Sequence, residues 1–143
     1  MSYTGKEVIN GTWGEVWISD SKIAEIKSFQ AKDEYEKEEV KMAGKMHTSH
    51  KIMAVSGKGS CSVHKVNSYQ AGRIGSQVRN GKTPHFTIIA KLADPDSRGA
   101  ERIAFEGVVF DDLTLMDWEV GTLGSVEMPF TYETYKFLDK INK

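Results

Sequence analysis

Residues 27–40 read KSFQAKDEYEKEEV. They continue a run, WGEVWISDSKIAEI (13–26), in which β-rich residues flank a short polar turn at Asp20-Ser21. The far end of the stretch carries Lys32, Asp33, Glu34, Glu36, Lys37, Glu38 and Glu39, with Tyr35 and Val40 as its bulky apolar residues. A strand with charge on both faces cannot pack inside its own domain, because unpaired buried charge is costly. It must project into water or pair with another chain. Exposed strand edges recruit partners and are normally suppressed, so a chain that keeps one is expected to use it for assembly. A helix over 33–46 is the competing reading, since Glu, Lys, Met and Ala favour helices. Glu34 and Glu38 would then be a like-charge pair at helical spacing, and Gly44 interrupts the segment. The strand is preferred.

The rest of the chain reads as a single domain over 1–143, the expectation for this length. Residues 1–12 form a polar N-terminal arm. Strands are expected over 13–19, 22–40, 60–66, 85–93, 102–110, 113–120 and from Val126 to Tyr132, where Val126, Met128, Phe130 and Tyr132 alternate. Residues 42–56 have no firm period and read as a loop, the tip of a hairpin. Gly57-Lys58-Gly59 reads as a turn leading into the next strand, and Phe137, Leu138 and Ile141 as part of a short charged tail. One helix is expected over about 67–80. Asn67 and Gln70 make a capping-box pattern, Ala71, Ile74 and Val78 share a face, and Asn80-Gly81 ends it. The fold class is therefore mainly β (α+β): an antiparallel sandwich or barrel with one flanking helix and a long projecting hairpin.

Composition narrows the function. A formal net charge of −1 argues against a dedicated nucleic-acid binder. Cys61 is the only cysteine, so no intrachain disulfide can form. MSYTGKEVING lacks a signal-peptide core, and no run is apolar enough to span a bilayer, so no membrane insertion is expected.

Several constellations could carry chemistry. His47-x-x-His50 and Cys61-x-x-His64 have zinc-ligand types. Residues three apart on a strand face opposite ways, however, and two loop histidines with a core Cys61 is the preferred account. Asp94, Asp96, Asp111 and Asp112 could bind a divalent ion, but Asp is a favoured turn residue. Residues 56–60, SGKGS, lack P-loop spacing. No nucleophile elbow is present. No metal, cofactor or catalysis is expected. Lys58, Lys65, Arg73, Arg79 and Lys82 could form a basic patch beside the helix. That patch supports the alternative function, a small nucleic-acid-binding β-barrel module. Trp13, Trp17 and Trp118 suit packing or subunit contact better than ligand stacking.

Taken together, GTWGEVWISDSKIAEIKSFQAKDEYEKEEVKMAG (11–44), HKVNSYQAGRIGSQVRNGK (64–82), FTIIAKLADPDSRGAERIAFEGVVFDDLTLMDWEVGTLG (86–124) and VEMPFTYETYKFLD (126–139) resemble the tail tube proteins of phage-like element PBSX and related contractile tails. The likeness runs from about Asn10 to the C-terminus. No single motif carries it; the combination of tryptophan-bearing hairpin, polar long strand, helix, ADPD turn and PFT-aromatic strand does. The resemblance implies a structural subunit of a phage tail or tail-like bacteriocin. Subunits would form hexameric rings stacked into a hollow tube inside a sheath, assembled in the bacterial cytoplasm. Sheath, baseplate and tail terminator proteins would be partners, and DNA would pass through without specific binding. The resemblance also places a lumen hairpin at about 31–43 and 51–63. Lys32, Glu34, Glu36 and Glu38 form one face of its first strand, and Asp33, Tyr35, Lys37 and Glu39 the other. The first set is favoured for the channel, because an acidic wall would repel DNA phosphates. Residues 42–54, with Met42, Lys45, Met46, His47, His50 and Met53, are the candidates for contact between rings, together with the N-terminal arm.

Overall fold

The structure, a computed structural model, describes residues 2–142. The strands, in chain order, are β1 (Gly14–Ile18), β2 (Ser21–Lys22), β3 (Ile26–Val40), β4 (Ser49–His64), β5 (Phe86–Leu92), β6 (Glu101–Phe110), β7 (Ser125–Tyr132) and β8 (Thr134–Asp139), with one α-helix among the described residues, α1 (Tyr69–Arg79), between β4 and β5. All pairings are antiparallel. The sheet runs β2-β1-β5-β6-β7-β4-β3, and β8 pairs with the other edge of β6.

β6 makes this one sheet into a two-layered sandwich. Its first part pairs with β5 and β8, whereas Val109 and Phe110 pair with β7 in the second layer. Just before this change of partner, in the register shift between the Phe105 and Val108 rows, stands Gly107 at φ 68°, where a Cβ would come within 2.8 Å of the Glu133 side chain. Glycine alone takes that backbone conformation without strain. The bend lets the inward-alternating residues of both layers meet. Phe29 on β3 packs against Phe105 on β6 and Phe130 on β7, and Phe105 against Tyr132, at ring separations of 5.8, 5.9 and 4.9 Å. Ile18, Ile88, Val108 and Phe130 are fully buried. Each such side chain contributes about 1.5–3 kcal/mol by burial. The expected alternation on β7 is therefore present, with Met128, Phe130 and Tyr132 inside.

Several expectations are corrected. The run from Lys22 to Val40 is not one strand: residues 23–25 turn the chain between β2 and β3, so that Ile23 enters the core. β4 begins at Ser49, so the tip loop is only 41–48. Gly57 and Gly59 are not a turn but lie inside β4, beneath aromatic rings of β7. Residues 113–120 form no strand, and the charged tail after Glu133 is β8, paired with β6. On α1 only Ile74 is fully buried, and Val78 is exposed. The capping box is replaced by Asn67, whose Oδ1 accepts from the Tyr69 N–H at 3.1 Å. The N-terminal arm contains two short 3₁₀ turns, Gly5–Glu7 and Gly11–Trp13. It is tied to the Asp94–Gly99 turn: Arg98 bonds Glu7 and the Ser2 carbonyl, and the Asn10 N–H donates to Asp94. The Arg98 guanidinium holds the Glu7 carboxyl below its ordinary value.

Candidate functional site

The second layer ends before the hairpin does. β4 lies between β3 and β7, but its last row shared with β7 is Gly57 opposite Tyr132. Asp33 on β3 completes that row. Beyond it β3 and β4 continue as a two-stranded ribbon, and every residue from Glu34 to Ser56 is exposed. Seven further residues of β3 carry it about 23 Å past the sandwich. A free two-stranded ribbon is at best marginally stable in water, so this one is built to be covered.

The root of the ribbon is latched. The Tyr132 hydroxyl donates to the Asp33 carboxylate at 2.5 Å. The Tyr132 ring lies over Gly57, where a Cβ would stand 2.4 Å from the ring. Gly59 is equally constrained, between the Gln30 carbonyl and the Phe130 ring, each 2.5 Å from a Cβ built there. Burial, and then the bond to Asp33, push the Tyr132 phenol above its ordinary value, so it remains a donor.

Register separates the two faces, since paired residues share a face. One face carries Lys32 opposite Lys58, Glu34 opposite Ser56, Glu36 opposite Ala54 and Glu38 opposite Lys51. Glu34 lies 3.6 Å from the Lys32 ammonium and 3.4 Å from that of Lys58. The face that holds all four channel candidates is thus charge-balanced, with three glutamates and three lysines, rather than acidic. The other face continues the core side: Tyr35 opposite Val55, Lys37 opposite Ile52 and Glu39 opposite His50. Tyr35, Val55 and Ile52 are 56%, 54% and 50% exposed there. Met53 has no partner on β3; it is the extra residue of a bulge between the Glu36 and Lys37 rows. Without the bulge, Ile52 would change faces. The apolar face of β4 is not legible in the sequence, because residues 42–56 have no firm period. The alternation of Val55 and Met53 suggested it only weakly, and the bulge breaks the period.

Of the six inter-ring candidates, Met42, Lys45, Met46 and His47 lie in the tip loop, with Met46 fully exposed, whereas His50 and Met53 belong to β4. Gly44, at φ 83°, and the Lys45 N–H to Met42 carbonyl bond shape the tip. His50 stands opposite Glu39 near the tip, and Cys61 and His64 lie at the other end of β4. Cys61 is buried and its thiol is pushed up to about 12 by that burial. The expected basic patch is divided: Lys58 is on β4 between Lys32 and Thr131, and Arg73 lies over the Phe86 ring at 5.2 Å.

A bent two-layer β-sandwich that extends a latched, two-faced ribbon defines a self-assembling structural subunit rather than a closed globule. Comparison with known proteins gives the family: the chain belongs to the phage tail tube protein family, whose model matches residues 1–139. It is 31% identical over 144 residues to the phage-like element PBSX protein XkdM of Bacillus subtilis (strain 168), covering 99% of this chain and 98% of that one. A chain of the extended sheath-tube complex of the extracellular contractile injection system PVC shares the fold with a TM-score of 0.70, 10% identity and coverage of 95% and 98%. So does a chain of the tube-terminating cap of the anti-feeding prophage, with a TM-score of 0.74, 8% identity and coverage of 98% and 94%. The protein is a structural subunit of a phage or phage-like tail tube.

Proposed function

We propose that this chain closes into hexameric rings through its ribbon, and that the rings stack into a contractile-tail tube. The observation that carries this reading is the ribbon from Glu34 to Ser56: exposed throughout, with one charged face and a second that carries Tyr35, Ile52 and Val55 beside Lys37 and Glu39. Side-by-side joining of ribbons satisfies the free edge of β3, and closure removes the last edge. The face with Lys32, Glu34, Glu36 and Glu38 lines the channel, and Tyr35, Ile52 and Val55 are covered by the body of the neighbouring subunit. A lumen wall with equal numbers of lysines and glutamates gives passing DNA phosphates no net attraction. Met42, Lys45, Met46 and His47 at the tip, with His50 and Met53 close behind, meet the next ring. Sheath, baseplate and terminator proteins complete the particle, which forms in the bacterial cytoplasm and functions as part of the tail.

Electron microscopy across a concentration series, alongside solution mass, tests this reading. Hexameric rings or hollow tubes are expected. A monomer at every concentration, with baseplate components added, overturns it.

A further inference from the structure

Two segments of this chain have opposite charge, and the fold sets them at opposite ends. From Lys41 to Met53 there are three lysines, two histidines and no acidic residue. Met42, Met46 and Met53 add exposed, adaptable apolar surface to the tip. From Asp111 to Leu123 there are four acidic residues and no lysine, arginine or histidine. Asp111, Asp112, Asp117 and Glu119 cluster in the unpaired stretch before β7, interspersed with Leu115, Met116, Trp118, Val120 and Leu123.

This acidic stretch is fixed at its ends and uncovered in its middle. Leu113 packs on the core, 3.2 Å from a Cβ built at Gly75, and the Gly124 carbonyl accepts from the Lys65 N–H at 2.8 Å. Between these anchors Trp118 is 72% exposed and Val120 is 88% exposed. An apolar patch of this kind on an assembling subunit marks an interaction surface.

The two segments cannot meet within one molecule. Gly124 lies beside Lys65, at the end of β4 where His64 pairs with Ser125. The basic tip lies at the other end of that strand, about 50 Å away for fifteen residues of extended chain. Complementary surfaces at opposite poles of a subunit generate a head-to-tail, open-ended contact.

We infer that the acidic, apolar segment Asp111–Leu123 is the seat for the basic, methionine-bearing hairpin tip Lys41–Met53 of a second copy of this chain, and that this contact stacks successive rings. The inference rests on the ring-forming reading above and names the surface that receives the tip. Lysines at the rim steer the tip toward Asp117 and Glu119, and the methionines pack on Trp118 and Val120.

A charge-exchange experiment on the full chain tests it. Lys41→Glu with Lys45→Glu, and separately Asp117→Lys with Glu119→Lys, replace exposed side chains, and circular dichroism of each variant checks that the fold is kept. Each pair should leave rings intact and raise the protein concentration needed for tube elongation by at least about tenfold. All four substitutions together should restore elongation. Tubes of normal length from either pair, or rings that still fail to stack in the fourfold variant, overturn the inference while the ring reading stands. Loss of sheath binding with normal tube elongation assigns the acidic segment to the sheath and also overturns it. If the unsubstituted chain forms neither rings nor tubes, the ring reading itself falls, and the inference with it.

Discussion

Replacing Tyr132 by phenylalanine removes one oxygen and keeps the ring. In the native protein that hydroxyl donates to Asp33 at 2.5 Å, at the last row where β3, β4 and β7 are all present. A hydrogen bond to a charged group contributes about 1.5–3 kcal/mol. Asp33 is only half-buried, so water partly replaces the lost donor and the lower half of that range, about 1.5–2 kcal/mol, is expected. For a chain of this size the melting temperature should fall by roughly 4–8 °C. Ring packing on Phe105 and over Gly57 is untouched, which isolates the bond. Thermal unfolding of the monomer measures the loss. Hydrogen exchange locates it: amides of residues 34–40 should lose protection before those of β1 and β5. The phenol adds a pH signature. Its folded value is raised above its ordinary one, so its contribution is complete below pH about 10 and is lost as pH rises through the folded value. Tyr132→Phe should flatten the alkaline fall in stability. An unchanged melting temperature together with an unchanged alkaline limb would refute the latch.

Gly57→Ala, which forces a Cβ into the Tyr132 ring, should cost about 1–3 kcal/mol by chemical denaturation and combine non-additively with Tyr132→Phe; strict additivity would separate the two sites. Exchanging Glu34, Glu36 and Glu38 together for glutamine should leave ring assembly intact by electron microscopy, and its loss would place that face at a subunit contact instead. Cys61, buried and with its thiol raised to about 12, should resist alkylation at pH 8 until the chain is unfolded in urea; fast labelling of native protein would contradict its burial. Phe130→Ala, at a fully buried ring packed on Phe29 and Phe110, should cost about 3–5 kcal/mol and leave little folded protein on thermal scans.

The class of fold and the existence of the projecting strand are legible in the residues alone. Alternation in β5 and β7 is a local property of side chains, and charge on both faces of residues 32–39 excludes burial wherever the chain goes. The sequence also carried the family likeness. What it did not carry was pairing. The resemblance placed a hairpin strand at about 51–63, but by period residues 49–56 looked like loop, because the Met53 bulge breaks their apolar alternation and only the register with β3 makes them strand. Residues 113–120 looked like strand because Thr114, Trp118 and Val120 favour one, but they pair with no strand. The charged tail became β8 for the opposite reason: β6 offers it a free edge. The Met53 bulge, which decides that Ile52 joins Tyr35 and Val55, and the bond that joins Tyr132 to Asp33 across 99 positions of chain, depend on strands distant in sequence lying side by side. Such relations are set by tertiary packing, because backbone hydrogen bonding between strands is non-local and any strand of suitable length can supply it.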